Sequence, residues 1–317
     1  MKIKLSDFVW KYVAEHGTRH VFMFPGGGAM HLLDSLGRSG DLNGITLLHE
    51  QACAMAAETY TRVADQMGTI LVTTGPGGTN AITGVAAAWM ESTPMLVISG
   101  QVKTGDLKDE IGVRQLGNQE IGIIDIVRSI TKYAAMVRDP QSIRYHLDRA
   151  YAEAMAGRPG PVWLDIPLDV QAAMIDPETL EGFSGDACAK AVCPQELACA
   201  ASEMLGNAKR PVLIAGQGIE RGQGRDAFLK LVSLLKIPVI TSWMATELLP
   251  YNNEYNLGKP GMVAPRYSNY AMQEADLILS IGSRLDPAMI GYDPDDFAPK
   301  AKKIIVDIDP RELEKFR

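Results

Sequence analysis

Short apolar runs alternate with helix-like stretches along most of this chain of 317 residues. The runs are rich in Val and Ile and are apolar at consecutive positions, which is typical of strands buried on both faces. Such strands belong to parallel sheets that helices cover on both sides. In the first part of the chain the predicted strands are 20–24, 44–49, 68–75, 94–100 and 160–167.

The alternation stops at residues 171–193, where Pro, Gly, Ser and acidic residues occur without periodicity, and we interpret this stretch as a linker. It then resumes, and we predict an α/β protein with two doubly wound parallel-sheet domains, at 1–170 and 194–317. Because the sequence stops after a strand and a short helix pattern, we expect the second, Rossmann-like domain to be incomplete. Its predicted strands are 210–218, 237–242, 275–283 and 302–310.

Composition narrows the classes of function. The formal net charge of −7 and the lack of a basic cluster argue against a nucleic-acid binder. The cysteines form no CxxC pair and do not group with the histidines, so we expect neither a disulfide framework nor a zinc site. Since there is no signal peptide pattern and no apolar run of about 18 residues, we expect a cytoplasmic protein without membrane contact. The four cysteines are Cys53, Cys188, Cys193 and Cys199.

Glycine-rich turns follow two of the predicted strands, as "FPGGGAM" (24–30) and "TTGPGGTN" (73–80). The carboxyl ends of parallel strands meet at one edge of a sheet, where ligands of open α/β folds bind. Each turn alone is explained more simply by the freedom of glycine in tight turns. Glu50 follows a third strand, so three such strand ends would share this edge.

Glu50 stands where a helix cap or a small residue is expected, before an alanine-rich helix. Capping and exposed glutamates are common, but the apolar neighbours Leu47, Leu48 and Met55 indicate partial burial. Burial favours the neutral form of a carboxyl group. The functional interpretation is an acid that exchanges a proton with a ligand carrying a basic ring nitrogen.

Several segments, in order along the chain, resemble the thiamine-diphosphate enzymes of the acetolactate synthase (acetohydroxyacid synthase) group. The resemblance implies thiamine diphosphate as the cofactor. It also implies that residues 1–170 form a pyrimidine-binding domain and, more weakly, that 194–317 form the central domain. The segments are "FPGG", "HEQACAMAAETYTRV", "TTGPGGTNAITGVAAAWMESTPMLVISG", "NQE", "TKYAAMV" and "GRPGPVWLDIPLDV".

The resemblance implies roles for individual residues. Glu50 matches the acid that hydrogen-bonds N1′ of the cofactor's aminopyrimidine, so that the ring can take the proton of thiazolium C2. Gln119 matches a glutamine that reaches into the active site near the substrate; the alternative is a loop residue making backbone bonds only. Asn80 could equally be a helix cap. The residues implied in cofactor binding are Pro25, Gly26, Gly27, Thr74, Pro76, Gly77 and Asn80.

The segment before Gln119 departs from the family pattern. Asn118 stands where acetolactate synthases commonly have phenylalanine, and the preceding loop "KTGDLKDEIGVRQLG" also differs. In the family this region shapes the acceptor side of the site. The acceptor therefore stays open between a second keto acid and a less usual carbonyl compound, such as a nucleotide-linked keto sugar.

The second domain offers a candidate dinucleotide site. A glycine pattern, "AGQGIERGQG" (215–224), follows one strand, and the acids of "DIDP" (307–310) follow another. In the acetolactate synthase branch this domain holds FAD. Here "SRLDPAMIGYD" departs from the family's arginine-rich version, so bound FAD and an empty site are both open. An NAD-dependent oxidoreductase would need a fuller glycine fingerprint and would leave Glu50 unexplained.

The family holds its magnesium ion with a Gly-Asp-Gly motif and a later Asn in a further domain. The near matches "GDL" (105–107) and "GDA" (185–187) lie in a polar loop and in the predicted linker. We therefore expect no metal ligand in this chain, and the C-terminal diphosphate-binding and magnesium-binding domain to be absent. The chain alone would be inactive, either as part of a longer chain or as one subunit of a split enzyme. A homodimer or homotetramer of the complete protein is implied.

The expected function is that of a carboligase, which decarboxylates pyruvate or a similar 2-keto acid and transfers the acyl unit to a carbonyl acceptor. A thiamine-diphosphate-dependent decarboxylase or lyase is the first alternative, although the first domain has no paired-histidine motif. A non-catalytic binding protein on the same scaffold is the second alternative. The joint presence of Glu50, Pro76 and Asn80 argues against it.

Overall fold

A computed structural model of the chain describes residues 1–64, 66–185 and 193–315. These residues form two compact units, one on each side of residues 186–192. Each unit contains a parallel sheet with helices, so the predicted α/β class is confirmed. Cys188, the last part of the predicted linker and most of the "GDA" segment lie outside the described residues.

The first unit is built on a six-stranded sheet in which all neighbouring strands are parallel. Its strand order is β3-β2-β4-β5-β7-β6, and β1 and β8 form a separate antiparallel pair. The strands are β1 (Ile3–Lys4), β2 (His20–Met23), β3 (Asn43–Thr46), β4 (Gly68–Val72), β5 (Met95–Gln101), β6 (Tyr133–Met136), β7 (Pro161–Pro167) and β8 (Met174–Ile175).

Helices cover both faces of this sheet. Along β4, Leu71 belongs to the apolar cluster under α1, α2 and α6, whereas Ile70 and Val72 belong to the cluster under α3, α4 and α5. Because successive strand residues point to opposite faces, burial on both sides requires the continuous apolar runs seen in the sequence. The helices are α1 (Leu5–Glu15), α2 (Met30–Arg38), α3 (Glu50–Ala64), α4 (Pro76–Met90), α5 (Ile123–Val127), α6 (Ile143–Met155) and α7 (Leu168–Ala172).

The strand register brings four turns to one edge of the sheet. Met23 at the end of β2 pairs with Thr46 at the end of β3, and Val72 at the end of β4 pairs with Ser99 in β5. Since all these strands run in the same direction, the segments that follow β2, β3, β4 and β5 share the carboxyl edge. This is the edge at which open α/β sheets bind ligands.

The second unit has a four-stranded parallel sheet of order β10-β9-β11-β12. Val212 and Ile214 of β9 belong to one apolar cluster, and Leu213 and Ala215 to the other, so this sheet is also covered on both faces. Its elements are α8 (Gln195–Asn207), β9 (Pro211–Ala215), α9 (Gly218–Arg221), α10 (Arg225–Leu235), β10 (Val239–Thr241), α11 (Arg266–Gln273), β11 (Leu277–Ile281), α12 (Pro287–Ile290), β12 (Lys302–Val306) and α13 (Pro310–Glu314).

Three predictions about local structure differ from the fold. The strand predicted at 44–49 ends at Thr46, and Leu48 is 93% exposed because β3 is an edge strand followed by a surface turn. The strand β6 (Tyr133–Met136) is not among the predicted strands; its two alanines give little strand signal, and pairing with β7 decides its conformation. Within the predicted linker, Ile175 and Leu180 pack into the core of the first unit.

Among the described cysteines, Cys53, Cys193 and Cys199 are free thiols, and Cys53 is buried. Burial raises the pKa of Cys53 to about 11, which keeps this thiol neutral and unreactive. None of the helices in the described part of the chain has the length and apolar character that a membrane crossing requires.

Candidate active site

Glu50 is the first residue of α3 and only 6% exposed. The side-chain amide of Asn80, on α4, donates a hydrogen bond of 3.0 Å to Oε2 of Glu50. Among the described residues, no other group donates to this carboxylate, so Oε1 keeps its capacity to accept. The burial predicted for Glu50 is present but has another cause: Leu48 and Met55 are exposed, and α4 covers the acid instead.

Gly77, in the first turn of α4, lies next to the carboxylate of Glu50. A Cβ atom at Gly77 would lie 3.4 Å from Oε1 of Glu50 and 2.7 Å from Cγ2 of Thr73. The glycine therefore leaves room beside the one carboxylate oxygen that lacks a protein donor. The sequence motif alone does not reveal that position 77 needs a small residue because it lies beside Glu50.

The turn after β2 packs directly on the turn after β4. The backbone N–H of Gly28 donates to Oγ1 of Thr73 at 3.0 Å, and a Cβ atom at Gly26 would lie 2.4 Å from Cβ of Thr73. Only a residue without a side chain permits this approach. Pro25 and Gly27 are exposed on the same edge.

The end of β5 completes this arrangement. The hydroxyl of Thr74 donates to the carbonyl oxygen of Gly100 at 3.0 Å, and a Cβ atom at Gly100 would lie 2.1 Å from the carbonyl oxygen of Gly28. Gln171, which is fully buried, donates to that same Gly28 oxygen at 2.8 Å. Thr74 thus joins two strand ends through its hydroxyl group.

Gln119 is brought to the turn after β4 through its main chain. Gly75 has a φ of +63°, and a Cβ atom there would lie 2.3 Å from the carbonyl oxygen of Gln119. Gln119 itself has a φ of +61°, which is costly for a residue with a side chain and persists only where the surroundings hold it. Its side chain is exposed.

Glu120 organises the loop that precedes Gln119. Its side chain is buried and accepts from the backbone N–H groups of Lys108 at 2.6 Å and Leu116 at 2.9 Å. One carboxylate therefore fixes both ends of the stretch between these residues. Sequence reasoning missed Glu120, because its partners belong to a polar loop without periodicity.

A second buried acid lies at the carboxyl end of β7. Asp165 is fully buried and accepts from Oγ of Ser99 at 2.6 Å and from Nε2 of Gln101 at 2.9 Å. Burial raises the pKa of Asp165 to about 7, even though both hydrogen bonds favour the ionised form. The sequence does not distinguish this acid from a solvated one.

The raised pKa of Asp165 predicts a pH-dependent stability. In the unfolded chain this carboxyl titrates near pH 4, so between about pH 4 and 7 the folded protein binds a proton that unfolding releases. We therefore expect the first unit to lose stability as the pH rises through this window, by up to about 1.4 kcal/mol per pH unit. Thermal unfolding of wild type and Asp165→Asn, compared at several pH values, measures the difference.

The variant should remove this slope, because asparagine does not titrate. Carboxyl groups with a lowered pKa, such as Asp109 beside Arg138, lose their stabilising contribution only below the window and leave the comparison unaffected. If the two proteins have parallel stability profiles between pH 4.5 and 7, the buried acid is not protonated in the folded state.

The edge of the first sheet fits an aminopyrimidine in two respects. A buried carboxyl with one unpartnered oxygen can hydrogen-bond a basic ring nitrogen, and the glycines at 26 and 77 let the turns after β2 and β4 pack closely beside it. Pro76 is exposed beside them at the start of α4. In contrast, no group of three His, Cys, Asp or Glu residues that could hold a metal ion occurs within 1–64, 66–185 and 193–315.

In the second unit, the glycine pattern has a packing explanation. A Cβ atom at Gly216 would lie 2.0 Å from the carbonyl oxygen of Gly282, and one at Gly218 would lie 2.7 Å from Cα of Gly282. The turn after β9 packs against the turn after β11 so closely that these positions require glycine. The buried hydroxyl of Ser283, next to this contact, has no hydrogen-bond partner in the structure.

Comparison with known proteins agrees with this geometry. The family described as "Thiamine pyrophosphate enzyme, N-terminal TPP binding domain" matches residues 3–127, and "Thiamine pyrophosphate enzyme, central domain" matches residues 199–317. The first match contains every residue predicted for the site. The turn after β9 lies in the second.

The relatives cover almost the whole chain. The probable acetolactate synthase large subunit of Methanocaldococcus jannaschii is 34% identical over 99% of this chain and 52% of its own length. The acetolactate synthase large subunit of Corynebacterium glutamicum is 36% identical over 94% of this chain and 46% of its own length. The acetolactate synthase isozyme 1 large subunit of Escherichia coli K12 is 34% identical over 98% of this chain and 54% of its own length. The chain spans about half the length of these relatives. It belongs to the thiamine pyrophosphate enzymes and carries their N-terminal and central domains.

Proposed function

We propose that the protein carrying this chain is a thiamine-diphosphate-dependent carboligase similar to acetolactate synthase. It decarboxylates pyruvate or a similar 2-keto acid and transfers the acyl unit to a carbonyl acceptor. The observation that carries the proposal is the Glu50 carboxylate, buried at a strand end, held by Asn80 on one oxygen and open on the other. The names of the relatives support the reaction class.

In this proposal the residues of the chain have separate tasks. Bound thiamine diphosphate supplies the electron sink for the decarboxylation of a 2-keto acid. Glu50 holds and returns a proton at N1′ of the aminopyrimidine, and Asn80 fixes the orientation of the carboxylate. Gly26 and Gly77 allow the two turns to pack against Thr73, which sets the shape of the edge that receives the ring. Gln119 binds substrate from the loop side.

The cofactor-binding set of the proposal extends along the whole edge. A heterocycle bound at Glu50 would contact the backbone of the turns after β2 and β4. The set therefore includes exposed residues as well as buried ones. Its members are Pro25, Gly26, Gly27, Thr74, Pro76, Gly77 and Asn80.

Other groups complete the proposed protein. Magnesium and the diphosphate would be held by residues outside this chain, as the resemblance to the family implies. We further propose a homodimer or homotetramer in the cytoplasm. FAD is a candidate ligand of the second unit, because the glycine turns after β9 and β11 lie at the carboxyl ends of these strands.

The test is a product analysis on the native protein, supplied with thiamine diphosphate, Mg²⁺ and pyruvate. A carboligase releases carbon dioxide and forms acetolactate, or another ligation product when a second carbonyl compound is added. Carbon dioxide with acetaldehyde alone would identify a decarboxylase. No carbon dioxide, together with bound cofactor, would identify a binding protein. The flavin content of the denatured protein decides whether FAD is present.

A further inference from the structure

Asp165 lies at the centre of a polar network that the proposed chemistry does not use. Ser99 donates to one carboxylate oxygen and accepts from Nε1 of Trp163 at 2.7 Å, while Gln101 donates to the other carboxylate oxygen. Asp165, Ser99, Gln101 and Trp163 are all buried. No cationic side chain contributes to this site in the described residues.

A buried acid without a cation is costly, and this one has no evident role in holding the sheet together. The strands β5 and β7 already pair through their backbones along their full length. Burying a carboxyl group costs free energy, which its hydrogen bonds offset only in part when no cation is present. The network therefore requires an explanation beyond the stability of the sheet.

Gln101 connects Asp165 to the loop that contains Gln119 and Ile121. Its Nε2 also donates to the carbonyl oxygen of Ile121 at 3.2 Å, and its Oε1 accepts from the N–H of Val102 at 2.9 Å. The nitrogen and the oxygen of this amide therefore both have hydrogen-bond partners. Oδ2 of Asp165 accepts from this nitrogen, so the carboxyl group holds the amide in the orientation that reaches Ile121.

Ile121 lies two residues after Gln119, and the main chain between them is held from both sides. The carbonyl oxygen of Gln119 packs into the space that a Cβ atom at Gly75 would need, and Gln101 donates to the carbonyl oxygen of Ile121. The left-handed conformation of Gln119 needs such support. The two contacts come from the ends of β4 and β5, the rigid part of the site.

We propose that Gln101, oriented by Asp165, is a positioning residue that holds the segment 119–121 so that Gln119 presents its side chain to the substrate. Neither Gln101 nor Asp165 touches the reacting atoms. The part of the proposal that concerns Gln119 and substrate rests on the carboligase function, whereas the part that concerns the conformation of the segment does not.

The conformational part is tested by hydrogen–deuterium exchange on the native protein. Gln101→Met keeps the side-chain volume but removes the bonds to Asp165 and Ile121. We expect the peptide 117–126, which contains the hydrogen-bonded N–H groups of Glu120 and Ile123, to exchange about fivefold faster or more. The rest of the first unit should keep its exchange rates.

Ser6→Ala is the matched control. Ser6 is also buried and loses one hydrogen bond, to the hydroxyl of Ser35, but it lies on α1, which covers the opposite face of the sheet from α5. This variant should leave the peptide 117–126 unchanged. Gln101→Asn, whose amide is too short to reach both partners, serves as a second variant if the methionine variant does not fold.

Kinetics test the functional part. In Gln101→Met we expect the KM for the substrate bound by Gln119 to rise about tenfold or more, beyond any fall in kcat, because a misplaced contact weakens binding first. Unchanged exchange in 117–126 would overturn the proposal outright. Faster exchange with an unaltered KM would leave the positioning intact and refute the role of Gln119, and with it that part of the proposed function.

Discussion

Replacing Glu50 with glutamine is expected to lower the turnover of the native protein by about 10²- to 10⁴-fold at saturating cofactor. Glutamine has the same size and can still accept the hydrogen bond from Asn80, so the fold should be nearly unaffected. It cannot hold and return a proton at the ring nitrogen. Steady-state assays with pyruvate, combined with thermal unfolding, measure both effects.

Glu58 offers a control on the same helix. It is also buried, and Thr93 donates to its carboxylate at 3.1 Å, but it lies two turns further along α3, away from the strand ends. Glu58→Gln should change stability without lowering the turnover by more than a few-fold. Near-normal turnover of Glu50→Gln, or an equal loss in both variants, would contradict the role assigned to Glu50.

The second large effect is expected at Gly26. Gly26 has an extended backbone that any residue adopts, so the only obstacle to alanine is the new Cβ atom, 2.4 Å from Cβ of Thr73. Thr73 is β-branched and cannot easily turn away. We expect Gly26→Ala to lower the free energy of unfolding by about 1–3 kcal/mol and to weaken cofactor binding. Chemical denaturation and cofactor titration measure the two losses.

The adjacent glycine provides the comparison. A Cβ atom at Gly27 would meet no atom within 4 Å, so Gly27→Ala should change the free energy of unfolding by less than about 0.5 kcal/mol. Equal destabilisation by both variants would mean that flexibility of the turn, and not the contact with Thr73, explains the glycines.

The sequence was sufficient for the elements that have a strong periodic signal. The continuous apolar runs that became β4, β5 and β7 are buried on both faces, so their patterns leave little choice of structure. The strand β6 was missed, because its residues are only half-buried and its pairing with β7 is a contact distant in sequence. Leu48 shows the converse: an apolar residue need not be buried.

The candidate site was predictable where a motif carries the chemistry. The glycine turns and Glu50 could be placed on one sheet edge from the predicted parallel direction of the strands, and the structure places them there. The residues that support the site were not predictable. Asp165 and Gln101 are 64 positions apart and Gln171 and Gly28 are 143 apart, and neither pair has a local pattern that indicates a partner.

If Glu50 exchanges a proton with a bound aminopyrimidine, its replacement should slow deuterium exchange at C2 of bound thiamine diphosphate. The rate is measured by quenched-flow NMR on the native protein, Glu50→Gln and Glu58→Gln, without substrate. We expect exchange to be slower by about 10²-fold or more in Glu50→Gln and unchanged in Glu58→Gln. Equal rates in all three proteins would show that Glu50 does not take part in the proton exchange.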